Sequence, residues 1–94
     1  MEALKRAIQS TSTRLEDYRI QGKRTALRVF STNCGGCDSF EKRRPQYESN
    51  LSVDMIFDLC TDDASNLRMA LQAGATRIPC YIILEDNTHK VARP

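Results

Sequence analysis

Cys34-Gly35-Gly36-Cys37 sets two thiols three residues apart. Two sulfurs at that spacing can bond to each other or share a metal ion. The pair follows an apolar run (Ala26, Leu27, Val29, Phe30) and precedes a stretch able to form a helix. A helix starting at or beside Cys34 aims its unpaired N–H groups and the positive end of its dipole at that sulfur. Both favour the thiolate over the thiol. The thiolate attacks disulfides, so the pattern reads as a redox nucleophile with a partner close enough to resolve it.

The elements that must position this pair follow from spacing and turn signals. Leu4, Ile8, Thr11, Leu15 and Tyr18 form one apolar stripe, which predicts an amphipathic helix over 2–20 with Gly22 as its C-cap. A short coiled-coil arm is the alternative use of that stripe. Residues 25–31 read as a buried strand. A helix over 34–48 comes next, with a kink or early end near Arg44 because Pro45 lies inside it. Val53, Met55, Ile56, Phe57 and Leu59 make a second strand. Thr61-Asp62-Asp63 then offers an N-cap and first-turn acids for a helix with apolar positions Ala64, Leu67, Ala70 and Leu71, closed by Ala73-Gly74. Cys80 to Leu84 is apolar on both faces and reads as a central strand. Asp86-Asn87 suits a tight turn into a fourth strand over 88–92.

This order predicts an α/β fold. The first two strands are parallel and joined through a helix, and the last two form an antiparallel hairpin. The loop holding Cys34 falls at the carboxyl end of the first strand, where open α/β sheets carry their sites. With 94 residues the chain suits one domain, residues 1–94. Hydrophobic residues at 40% and charged residues at 28% fit a folded chain, and no apolar run reaches the roughly 20 residues that span a bilayer. The N-terminus lacks a secretory apolar core, which predicts a cytoplasmic protein, where a CxxC pair serves catalysis or metal binding rather than structure. A net charge of +2 points to neither nucleic acid nor membrane as partner, and Lys42-Arg43-Arg44 reads as a solvated helix face.

Two motifs resemble the thioredoxin superfamily. One is Val29-Phe30-Ser31-Thr32-Asn33-Cys34-Gly35-Gly36-Cys37, a strand running into CxxC. The other is Gly74-Ala75-Thr76-Arg77-Ile78-Pro79 before an apolar strand about forty residues later. The resemblance covers roughly 25–92 and implies a four-stranded mixed sheet flanked by helices, with an N-terminal helix and without the family's final helix. It implies that Cys34 is the exposed attacking thiol and Cys37 the buried resolving one. It also implies that Pro79 is cis and lies against the pair, and that Gly35, Gly36, Ile78 and Pro79 contact an extended substrate segment, which adds as a short strand.

The chain departs from the family pattern at several positions. Asn33 stands where thioredoxins carry tryptophan, Arg28 where they hold a buried acid, and Gly-Gly where they have Gly-Pro. A cation near the pair favours thiolates but accepts no proton. Without the last helix, alternate residues of the 80–84 strand should be exposed. That bare face would suit a second copy or another protein.

The remaining chemistry-bearing residues carry open readings. Cys60 and Cys80 are small buried hydrophobes, auxiliary redox thiols, or completing ligands of a four-thiolate zinc or iron–sulfur site. His89 reads as an exposed hairpin residue, Tyr18 and Tyr47 as core-edge residues, and Tyr81 as either groove or core. The expected function is a thiol–disulfide oxidoreductase that reduces or exchanges protein disulfides through a mixed disulfide. It is served by a separate reductase and needs no cofactor and no metal. The alternatives are a non-catalytic binding or dimerisation module, or a thiolate metal protein.

Overall fold

Strand β1, Thr25–Phe30, is apolar at Ala26, Leu27, Val29 and Phe30, and such a run is stable only when both sheet faces are covered. The computed structural model, which describes residues 14–94, gives it that environment. β1 pairs in parallel with β2 (Met55–Cys60) and antiparallel with β3 (Cys80–Glu85), and β3 turns into β4 (Thr88–Ala92). The sheet order is β2-β1-β3-β4. Among the described residues three α-helices accompany it: α1 (Gly35–Phe40), α2 (Arg44–Asn50) and α3 (Ala64–Gln72). The expected mixed sheet, with its parallel pair and terminal hairpin, is present, and β4 is the last element.

Alternation along β1 divides the core in two. Leu27 and Val29 join Leu59, Cys80, Ile82 and Leu84 on one face, against Tyr18 and the α3 residues Met69 and Ala70. Ala26, Tyr81 and Ile83 lie on the other, against Phe40 of α1 and Tyr47 of α2. Both sides of β3 are therefore covered, and residues 80–84 are at most 1% exposed. This overturns the expected bare apolar face. α1 and α2 together shield the side that was expected to lie open.

The N-terminal helix also needs correction. Leu15–Tyr18 is a single 3-10 turn, and Arg19 leaves it with extended backbone (φ −76°, ψ 134°). The Arg19 guanidinium donates to the carbonyls of Asp86 (2.7 Å) and Thr88 (3.0 Å), which ties the chain to the hairpin instead of continuing a helix. Residues 2–13 of the expected helix lie outside the described residues. Gly22 is not a helix cap; it sits in a turn at φ +77°, a left-handed value that glycine takes freely.

The expected 34–48 helix is two helices separated by a turn at 41–43. Pro45 lies in the first turn of α2, where its missing N–H would have had no partner anyway. The Lys42-Arg43-Arg44 run therefore occupies that turn and the start of α2, with Arg44 paired to Glu41 (2.8 Å) and Glu48 (3.4 Å). β2 begins at Met55, two residues after Val53. On α3 the buried positions are Asn66, Met69 and Ala70, while Leu67 and Leu71 are 43% and 53% exposed. Asn66 Nδ2 donates to the Cys60 carbonyl at 3.0 Å, and that bond fixes an inward face that apolar spacing did not mark.

Tyr81 is core rather than groove. It is fully buried, it meets Tyr47 at 5.3 Å between ring centroids, and its hydroxyl donates to Glu48 at 2.6 Å. Burial first, and the Glu48 carboxylate second, push its ionisation far above the ordinary phenol range. A pKa raised in the folded state stabilises at pH values below the unfolded value and loses that contribution as pH climbs past it. Tyr18 and Tyr47 are raised by burial with the same sign. Tyr81→Phe should lower stability at neutral pH by about 1–3 kcal/mol, and urea midpoints should show a shallower decline above pH ~10 than wild type. An unchanged midpoint at pH 7 would remove the hydroxyl–carboxylate bond from the account.

Candidate functional site

Three chain segments converge at one end of β1. Phe30 ends the strand, Ser31 to Asn33 cross to Cys34, and Cys34 is the extended N-cap (φ −142°, ψ 104°) of α1. Its sulfur accepts the Cys37 N–H at 3.0 Å, and its carbonyl accepts the Asp38 N–H at 3.1 Å. Cys34 and Cys37 form a disulfide pair with Cα atoms 5.2 Å apart, within the ordinary span of a bridge. Cys34 is half-buried and Cys37 buried, because Cys37 and Phe40 share the inward side of α1. The outer sulfur is the one held at the helix start, where N–H donors and the dipole favour negative charge.

Pro79 approaches from the β3 side. The Ile78–Pro79 peptide bond is cis. A Cβ built on Gly36 would sit 3.5 Å from Pro79 Cδ and 3.6 Å from the Ile78 carbonyl oxygen, whereas one on Gly35 would meet open space. Gly36 thus packs directly on the Ile78–Pro79 segment, and Ile78 presents an apolar side chain that is 37% exposed. Gly36 meets Ile78 and Pro79, the bridged Cys34 and Cys37 flank it in sequence, and Gly35 faces outward. Because both Gly36 distances are ordinary van der Waals contacts, Gly36→Ala should raise stability by about 0.5–1 kcal/mol, as alanine outperforms glycine in a helix. A lower urea midpoint for that variant would contradict the contact.

Cys60 and Cys80 do not join the pair as equals. Cys80 pairs in register with Val29 and is fully buried on the α3 face, and that burial pushes its thiol up despite an opposing influence from Arg93. Cys60 pairs with Phe30 and is half-buried on the opposite face. β1 runs between them, so two strand spacings of about 4.8 Å separate their backbones, beyond the roughly 7 Å limit for a bridge. Among the described residues, no group of three His, Cys, Asp or Glu side chains could hold a metal ion. His89 is exposed in the hairpin, and its Nε2 lies 3.1 Å from the Ala73 carbonyl oxygen.

Arg28 lies on the α1 face of β1. Its Nε donates to Asp58 at 2.8 Å, its guanidinium stacks over the Phe30 ring at 4.0 Å, and the bond to Asp58 raises its ionisation further. The charge that was expected to act on the thiols is thus balanced by a neighbouring carboxylate on β2.

Sequence reading missed the β2–α3 loop. Thr61 donates both its N–H (2.8 Å) and its hydroxyl (3.0 Å) to the Phe30 carbonyl. Asp62 is not a first-turn acid of α3. It accepts the Ser31 hydroxyl at 2.7 Å and the Thr32 hydroxyl, which hold its carboxyl below the usual range, with the Thr32 bond first. Asp63 is the cap: its Oδ1 accepts the N–H groups of Ser65 (2.8 Å) and Asn66 (3.1 Å), and these likewise lower it. The only sequence signal was a hydroxyl pair, Ser31-Thr32, directly ahead of the CxxC.

A carboxyl lowered in the folded state stabilises at pH values above the unfolded pKa and loses that contribution as pH falls through the folded one. Asp63→Asn retains an N-capping oxygen but has nothing to titrate. Its urea midpoint should drop less between pH 7 and pH 3 than that of wild type. An equal drop would show that the cap carries no acid dependence.

No protein-family model matches this chain, and no curated protein matches it. Among the described residues, no helix is long and apolar enough to cross a membrane.

Proposed function

We propose that this protein is a thiol–disulfide oxidoreductase with a thioredoxin-like fold, acting on protein disulfides. The observation that carries the reading is the half-buried Cys34 sulfur at the N-cap of α1, bonded to the Cys37 N–H, with Gly36 of the same motif packed on the Ile78–Pro79 segment. The strand order β2-β1-β3-β4, with CxxC after β1 and Ile-Pro before β3, supports the fold assignment. The fully buried 80–84 strand withdraws the bare sheet face as an argument for a non-catalytic docking module, leaving Arg28 and Asn33 as the departures that favour one.

In the reduced protein, the Cys34 thiolate attacks one sulfur of a substrate disulfide. A new S–S bond forms to Cys34, and the other substrate sulfur leaves as a thiolate and takes a proton from solvent. Cys37, having released its proton to solvent, attacks the Cys34 sulfur. The Cys34–Cys37 bond forms, the second substrate thiolate departs, and two electrons have passed to the substrate. A separate dithiol reductant returns the pair to the reduced state. The exposed Ile78 beside Pro79 offers an apolar contact, and the neighbouring backbone offers strand-like pairing, to an extended substrate segment.

Insulin reduction driven by dithiothreitol and followed by turbidity tests this proposal. Wild type should accelerate precipitation over dithiothreitol alone, Cys34→Ser should return it to that background, and Cys37→Ser should accumulate a mixed disulfide. No acceleration by wild type would end the redox reading.

A further inference from the structure

We infer that Asp62 is a positioning residue for Cys34, fixing the segment that delivers the sulfur to the start of α1; the inference rests on the redox reading for its functional meaning. The two sides of Cys34 are held very differently. After it come Gly35 and Gly36, which restrict the backbone less than any other residue pair. Before it, each successive residue is tied down. The Phe30 carbonyl accepts two bonds from Thr61, Ser31 and Thr32 each donate a hydroxyl to Asp62, and the Asn33 N–H donates to Ser31 Oγ at 3.2 Å. Asp62 lies two residues past the end of β2, so one carboxylate joins that strand's exit to both hydroxyls of the approach to the nucleophile.

Two alternatives for Asp62 are weaker. It is not needed to cap α3, because Asp63 takes both N–H groups there. Nor does it activate the thiol by charge, because a nearby anion disfavours a thiolate. Its carboxylate is bonded to the two hydroxyls ahead of Cys34, so the influence open to it is on the geometry of that segment. The geometry at stake is the Cys34 backbone, whose extended N-cap angles bring Sγ to the Cys37 N–H.

The test is the rate of iodoacetamide alkylation of Cys34 in the reduced full chain, with the label assigned by peptide mass spectrometry and the rate followed against pH. Asp62→Ala should slow the reaction at pH 7 by roughly three- to tenfold, the equivalent of one ordinary hydrogen bond, and shift its pH profile upward. Asp62→Asn keeps an acceptor and should retain most of the rate. Ser31→Ala with Thr32→Val should reproduce Asp62→Ala without adding to it. Asp63→Ala should lower the urea midpoint yet leave the Cys34 rate unchanged, which separates positioning from general destabilisation.

Faster alkylation in both Asp62 variants would make the residue a charge rather than a clamp and overturn the inference. Unchanged rates in Asp62→Ala and in the hydroxyl double variant would overturn it equally. Insulin turnover in the same preparations reports on the redox reading alone. If wild type does not turn over insulin, the alkylation ratios still decide the role of Asp62.

Discussion

The pairing of β1 on both of its edges is the constraint on which the rest of this molecule depends. A strand bonded in parallel on one side and antiparallel on the other brings different ends of its neighbours to the same place. The last residue of β2 lies opposite Phe30, and the first residue of β3 lies opposite Val29. The loop leaving β2 and the segment leading into β3 must therefore meet the loop leaving β1. Thr61 and Asp62 arrive in the first of these, Ile78 and Pro79 in the second. The site is a product of mixed pairing more than of any one helix.

That arrangement requires β1 to stay where it is, and the two-sided core ensures it. Leu27 and Val29 are held from one face and Ala26 from the other, all fully buried, so a slip of one residue would send each to the wrong layer. Arg28, which falls between Leu27 and Val29 on the layer that Ala26 occupies, is accommodated through Asp58 at the same register position on β2. An arginine next to a core is acceptable when its charge is met and its stem is packed, and the Phe30 ring supplies part of that packing.

The parts of this structure legible in the sequence were those with local signals. Cys34 and Cys37 announce themselves by spacing, Pro79 by following Ile78 ahead of an apolar run, and the hairpin by Asp86-Asn87 between two strand-like segments. Asp86 takes the left-handed φ of +52° for which such residues are chosen. What escaped depended on partners distant in sequence. The inward face of α3 is set by Asn66 reaching back to Cys60, and helical periodicity alone favoured Leu67 and Leu71. The chain leaves its first turn at Arg19 because the hairpin, some seventy residues later, supplies two carbonyls. Asp62 looked like a helix-start acid because nothing nearby says that it faces Ser31 and Thr32 instead.

The complete burial of Cys80, the first residue of the inner strand β3, gives the molecule a clock for its own opening. Reagents in water meet that thiol only when the structure around it opens, and such openings range in cost up to that of global unfolding. Its modification rate under native conditions therefore counts openings of the structure around it, while Cys34, half-buried at the rim, is reached without them once the pair is reduced. Within one chain, fast and slow thiols divide surface chemistry from breathing of the core.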